Sequence, residues 1–263
     1  MLGAIQAPLL FGLFAAFVTT IGLVFVARQQ RWSEEYAKLF AVAAGGMLLT
    51  LVVVHIAPEA LERSSQAPVL IASGFLGGLA LNVGLRWFST RASGQVPSAP
   101  AMVAAPVLAI AIHSFFDGII YAVTFATSFE AGVFAALSLS LHEFPEGVIA
   151  FALLRQGGVS SRYALLFAFL ASAATTPLGV IASAPVVFSL SSEVIGNLFA
   201  VSAGLLLFVA TGPLMAPLRS QPLGRGSIAL AIGVIFALGL THSPLNAHRH
   251  ADTVGFVAVT QVV

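Results

Sequence analysis

The sequence predicts an all-α polytopic membrane protein with eight transmembrane helices. Of its 263 residues, 59% are hydrophobic and only 8% charged, against about 25% charged in soluble domains. The mean hydropathy is +1.01. The apolar residues form continuous runs of roughly the 20 residues a spanning helix needs, without the ten-residue alternation of a barrel strand. The same composition excludes other classes. A net charge of +1 leaves no electrostatic footprint for nucleic acid. The absence of cysteine removes disulfide frameworks, CxxC zinc sites, iron–sulfur clusters and cysteine nucleophiles.

The eight runs cover about 8–27, 38–58, 68–88, 103–127, 131–154, 162–184, 194–217 and 227–241. The first lacks a basic leader and runs on to Ala27, too long for a signal-peptide core, so it is read as an uncleaved span. Pro58 is expected to stop the second span. The third and fourth are separated by the longest connection, 89–102, a Ser/Pro/Gly-rich stretch read as a flexible linker. The fourth and fifth are joined by a tight turn around Ser128 and are therefore antiparallel neighbours. The whole chain, 1–263, reads as one transmembrane domain.

Charge sets the orientation. Arg28, Arg31, Lys38, Arg86, Arg91, Arg155, Arg162, Arg219 and Arg225 all flank loops 1, 3, 5 and 7, whereas the alternate side holds only Arg63 and Arg249. The positive-inside rule makes the odd loops cytoplasmic and puts both termini outside a cell membrane, plasma or inner. Glu59, Glu62, Glu130 and Glu193 then make the outer face mildly acidic. A weak echo links span two (Ala44 to Leu49, running on to Pro58) with span seven (Ser202 to Leu207, running on to Pro217). The two spans cross in opposite senses, as in an inverted repeat.

Spans four and five carry the residues that do not belong in oil. One holds His113-Ser-Phe-Phe-Asp117-Gly, the other His142-Glu143-Phe-Pro-Glu146-Gly. Each motif lies about ten residues from its helix end, roughly 15 Å deep at 1.5 Å per residue. His113 is 15 residues before Ser128 and His142 is 14 after it, so both sit at one depth. In each motif the histidine and the acid are i and i+4, on one face; Ser114 and Glu143 are turned by about 100° toward a neighbouring position. A buried charge costs about 2.5–3.5 kcal/mol on insertion scales, and no Lys or Arg lies inside a span to pair with Asp117, Glu143 and Glu146. These acids are protonated, solvated in a cavity, or neutralised by a partner from outside the chain. Two imidazoles, the carboxylates and a hydroxyl suit a divalent transition metal, zinc in particular. Pro145 removes a mid-helix hydrogen bond and frees the Leu141 carbonyl, as happens beside cavities; Gly118 and Gly147 permit close helix approach.

HSFFDG and HEFPEG on consecutive spans resemble the paired metal-binding helices of the ZIP family of divalent-metal transporters. Span two, with Ala44-Gly-Gly-Met47 and His55-Ile-Ala-Pro-Glu59, is similar to that family's second helix. The resemblance implies inverted three-helix repeats around helices 4 and 5, a midplane binuclear site, and alternating access that carries zinc into the cytoplasm. Iron, manganese, cobalt and cadmium accept overlapping ligands. Carried over by position, His113, Asp117, His142 and Glu146 hold one metal, with the Met47 thioether beside it; Ser114, Asp117, Glu143 and Glu146 hold the other. A homodimer is compatible with the resemblance. Thr176 stands before Pro177 where many bacterial relatives have a carboxylate, Asp117 is one methylene shorter than the commoner Glu, and loop 89–102 has no histidine.

Four other readings compete: polar residues that only hold the two helices together, a proton relay without metal, a sodium- or proton-coupled carrier of an organic substrate, and a membrane-embedded zinc hydrolase. The last rests on the superficial likeness of His142-Glu143-Phe-Pro-Glu146 to HExxH, whose second histidine is here Glu146. His55 and Glu59 are candidates for a cation entry path at the outer end of span two. His242, His248 and His250, with Asp252, read as a solvated tail.

Overall fold

The computed structural model describes residues 2–28, 37–93, 99–127, 129–187, 190–220 and 223–241. They form eight helical rods, and no strand occurs among the described residues. α1 is Leu2–Arg28. α2 joins Ala37–Leu51, a π-helical turn Val52–Ile56 and Ala57–Arg63. α3 is Ala67–Ser93, α4 Ala99–Thr127 and α5 Phe129–Gln156. α6 joins Ser161–Ala168, a second π turn Phe169–Ala173 and Thr175–Ser183. α7 joins Ser192–Val209 to a third π turn, Ala210–Leu214, followed by a 3₁₀ turn Ala216–Ser220. α8 is Leu223–Thr241. Six stretches are long and apolar enough to cross a membrane, namely Ile5–Arg28, Lys38–Arg63, Ala67–Arg91, Val103–Ala126, Ser161–Ser183 and Ser192–Arg219. Gly224–Gly239 is a shorter apolar helix, and α5 has 28 residues, about 42 Å of helix.

Two expectations fail at helix ends. Pro58 does not stop α2, which continues to Arg63. The π turn just before it widens the helix, with Ala57 N–H bonding back five residues to Val52 O. That loosened turn accommodates a ring that would clash with a regular preceding turn. The described parts of the linker 89–102 are helical, since α3 runs to Ser93 and α4 starts at Ala99; residues 94–98 lie outside the described residues. Arg91 stacks 5.1 Å over the Trp87 ring on the last turns of α3, where the helix leaves its apolar segment. The tail histidines His242, His248 and His250 lie outside the described residues.

The helices pair in a repeating pattern. α1 packs on α5 and α6 on α4; α3 packs on α7 and α8 on α2. Glycines mark each seam. Gly147 of α5 lies against the Thr19 carbonyl of α1, and Gly118 of α4 against the Thr176 carbonyl of α6. Gly74 of α3 meets the Val201 carbonyl of α7, as Gly233 of α8 meets the Ala43 carbonyl of α2. A Cβ at any of the four would collide with backbone, so only glycine lets these helices approach so closely. The contacts interchange α1 with α6, α2 with α7, α3 with α8 and α4 with α5. Successive spans alternate in direction, so helices five apart run oppositely and the repeat is inverted. The π turns of α2 and α7 fall at matching places in it.

The outer surface is oily. Phe17 and Phe25 on α1, Leu76, Val83 and Phe88 on α3, Phe167, Leu170 and Ile181 on α6, and Ile228, Ile232 and Ile235 on α8 all face outward. A water-soluble protein does not expose apolar surface on this scale; it matches hydrocarbon.

Candidate metal centre

The two motifs meet inside the bundle. α4 ends at Thr127, α5 begins at Phe129, and the two helices are adjacent and antiparallel. His113, Ser114, Asp117, Glu143 and Glu146 are all buried. Within α4, His113 Nε2 lies 3.4 Å from Asp117 Oδ2, the i,i+4 pairing the spacing predicts. The other imidazole nitrogen, Nδ1, meets the hydroxyl of Ser202 on α7. Across the seam, Ser114 Oγ lies 2.5 Å from Glu146 Oε1 and 3.0 Å from Ile110 O.

The two glutamates of α5 differ in their surroundings. Glu143 accepts from Thr19 of α1 on Oε2 (2.7 Å) and from Thr176 of α6 on Oε1 (3.2 Å). Glu146 is bonded through Oε1 only; its Oε2 is buried without a partner among the described residues. A buried carboxylate oxygen left bare costs about 1–3 kcal/mol or more, because it has given up water for nothing. His113 and Glu146 line a small cavity of about 20 Å³, with Met47, Leu48 and Leu51 of α2 and Leu206 of α7 among its other walls. That is room for one water-sized body.

His142 is a helical residue of α5 whose side chain lies outside the described residues. Among the described residues, no three His, Cys, Asp or Glu side chains are close enough together to hold a metal ion. The acids of the centre are instead turned to hydroxyls: Glu143 to two threonines, Glu146 to Ser114. At the C-terminal end of α2, Glu59 is held by Arg63 of the next turn at 2.5 Å. The following Ser64 bonds Asn197 of α7 at 2.6 Å.

The family model described as the ZIP zinc transporter matches residues 89–241. The chain belongs to the ZIP zinc transporter family. Zinc transporter ZIP4 of Homo sapiens is 37% identical over 120 residues, which is 46% of this chain and 18% of that protein. Zinc transporter foi of Drosophila melanogaster is 28% identical over 130 residues, 49% of this chain and 18% of that one. Zinc transporter ZIP4 of Mus musculus is 34% identical over 114 residues, 42% and 17% respectively. The matched segments thus span less than a fifth of each relative. The ZIP match takes in α4 to α8, and so both motifs, Thr176 and Ser202; Thr19 and Met47 lie before it.

Two polar neighbours of the centre are missed by sequence reasoning. Thr19 is one of two adjacent threonines in an apolar helix, and nothing in its own span ties it to Glu143. Ser202 stands in the echo between spans two and seven. Reading that echo as a packing register brings α7 against the central pair and is the one signal that points to it.

Proposed function

We propose that residues 1–263 form one transport unit that carries a divalent metal ion, zinc first, into the cytoplasm by alternating access. His113, Asp117, His142 and Glu146 take the ion at the midplane, with Met47 beside them. Ser114, Asp117, Glu143 and Glu146 outline a second, adjoining position. The odd loops are cytoplasmic and both termini outside, in line with the basic residues. The observation that carries the reading is the bare, buried Oε2 of Glu146, a residue that lines a cavity together with His113 and Met47. A carboxylate in that position completes its interactions when a cation arrives, and the ion exchanges its water for imidazole and carboxylate. Membership of a family described as zinc transporters supports zinc as the cargo. Transport also needs release, and carboxylates shared by two positions favour it, since a second ion or a proton weakens the grip on the first.

The test is uptake of zinc into proteoliposomes. His142→Ala and Glu146→Ala each reduce uptake to the protein-free background while the folded protein is recovered in normal yield. Uptake that persists in the Glu146→Ala protein overturns the scheme.

A further inference from the structure

We infer that Thr19 and Thr176 form a hydroxyl clamp on Glu143 that makes the second metal position weaker than the first, an inference resting on the metal-transport reading above. The argument is the contrast between two glutamates three residues apart. Glu146 ends in an oxygen with no partner, beside a cavity. Both oxygens of Glu143 are engaged, by donors 2.7 and 3.2 Å away on two different helices. An ion entering next to Glu146 gains a ligand without breaking anything. An ion that recruits Glu143 competes with these two hydroxyls, the nearer being Thr19, whose Oγ1 also lies 3.0 Å from Ala15 O of its own helix.

The clamp comes from the repeat but does not obey it. Thr19 of α1 and Thr176 of α6 are equivalent residues: each lays its carbonyl on a glycine of the central pair, Gly147 and Gly118 respectively. Strict symmetry would give Thr19 to Glu143 and Thr176 to Ser114, the residue equivalent to Glu143. Ser114 is too short to reach across and turns to Glu146 and Ile110 O instead. Glu143, longer than serine by a methylene and a carboxyl carbon, meets both threonines. The loss of symmetry at one side chain therefore decides which acid is reserved for the first ion. Thr176 is central to this. A threonine there supplies a donor to Glu143, whereas a carboxylate would supply a further ligand and a repelling charge.

Zinc titration of the full chain in lipid nanodiscs, by calorimetry with metal counted by mass spectrometry, tests the clamp. Wild type takes up one ion tightly and a second at least ~10-fold more weakly, the loss expected for breaking hydrogen bonds to a charge. Thr19→Val with Thr176→Val removes both donors at nearly constant volume. The second affinity then rises ~10-fold toward the first. Should the double variant fail to fold, Thr176→Val alone moves the second affinity in the same direction by a smaller factor. Thr176→Ser, which keeps the hydroxyl, restores the wild-type pattern. Two ions of equal affinity in wild type, or a second affinity unmoved by loss of the hydroxyls, overturns the clamp and leaves the transport reading standing. No ion bound at all overturns the transport reading, and the clamp with it.

Discussion

The two inverted halves agree in their packing and differ in their chemistry. Gly118 against Thr176 repeats Gly147 against Thr19, and Gly74 against Val201 repeats Gly233 against Ala43. The polar positions do not repeat: Ser114 faces the equivalent Glu143, Asp117 the equivalent Glu146, Ser202 the equivalent Ala44, and Met47 the equivalent Leu205. Backbone approach is governed by shape, which a duplicated scaffold must keep for both halves to close on the central pair. The polar chemistry is local: His113 meets the Ser202 hydroxyl, one oxygen of Glu146 is bare, and Glu143 is engaged by two hydroxyls. The fold is thus symmetric at its glycine seams and asymmetric at its buried polar centre.

The most damaging way to break this comparison is to fill the seams. Gly118→Leu and Gly147→Leu drive a side chain into the facing backbone, where overpacking costs about 1–3 kcal/mol or more. Both should abolish the monodisperse folded protein in size-exclusion and thermal-unfolding measurements, to the same degree. A molecule that tolerates one and not the other has unequal halves at the level of packing.

A smaller effect separates the chemistry. Ser202→Ala removes the hydroxyl that holds His113 Nδ1. Zinc affinity should fall about tenfold, the lower range for loss of a group that orients a metal-binding histidine. Ser202→Thr should recover it, and the mirror change Ala44→Ser should leave affinity as it was. An Ala44→Ser protein that binds zinc more tightly would mean that the two halves remain interchangeable at the site.

The mildest probe is the thioether. Met47 and Leu205 are equivalent and equally buried, but only Met47 lines the cavity. Met47→Leu conserves volume and should weaken uptake at limiting zinc by about two- to threefold through loss of a soft donor. Leu205→Met should change nothing. Equal responses would reduce Met47 to a packing residue.

Much of this was legible before any coordinates. Continuous apolar runs gave the eight rods, because a helix in hydrocarbon has no other way to satisfy its backbone. The two motifs stood out because acids without bases are rare in such runs, and Gly118 and Gly147 were read as points of close approach. The ends were less legible. Pro58 is a stop signal in isolation, and the π turn that overrides it is a tertiary accommodation. α3 outlasts its apolar run because its last turns leave that segment, where Ser, Thr and Arg need no burial. Thr19 was out of reach for a different cause. A hydroxyl acquires meaning from what lies across the seam, and its partner is 124 residues away in the chain.

The wide turn Val52–Ile56 amounts to one inserted residue in α2. Each residue of a helix advances it by about 100°. Winding the same residues as an ordinary helix would swing everything beyond the turn by more than a quarter-circle. Arg63 and Ser64 would leave the notch that Gly196 opens for them on α7, and the Ser64–Asn197 latch would come undone. The extra residue is the spacer that lets a proline-bearing rod fasten at both ends.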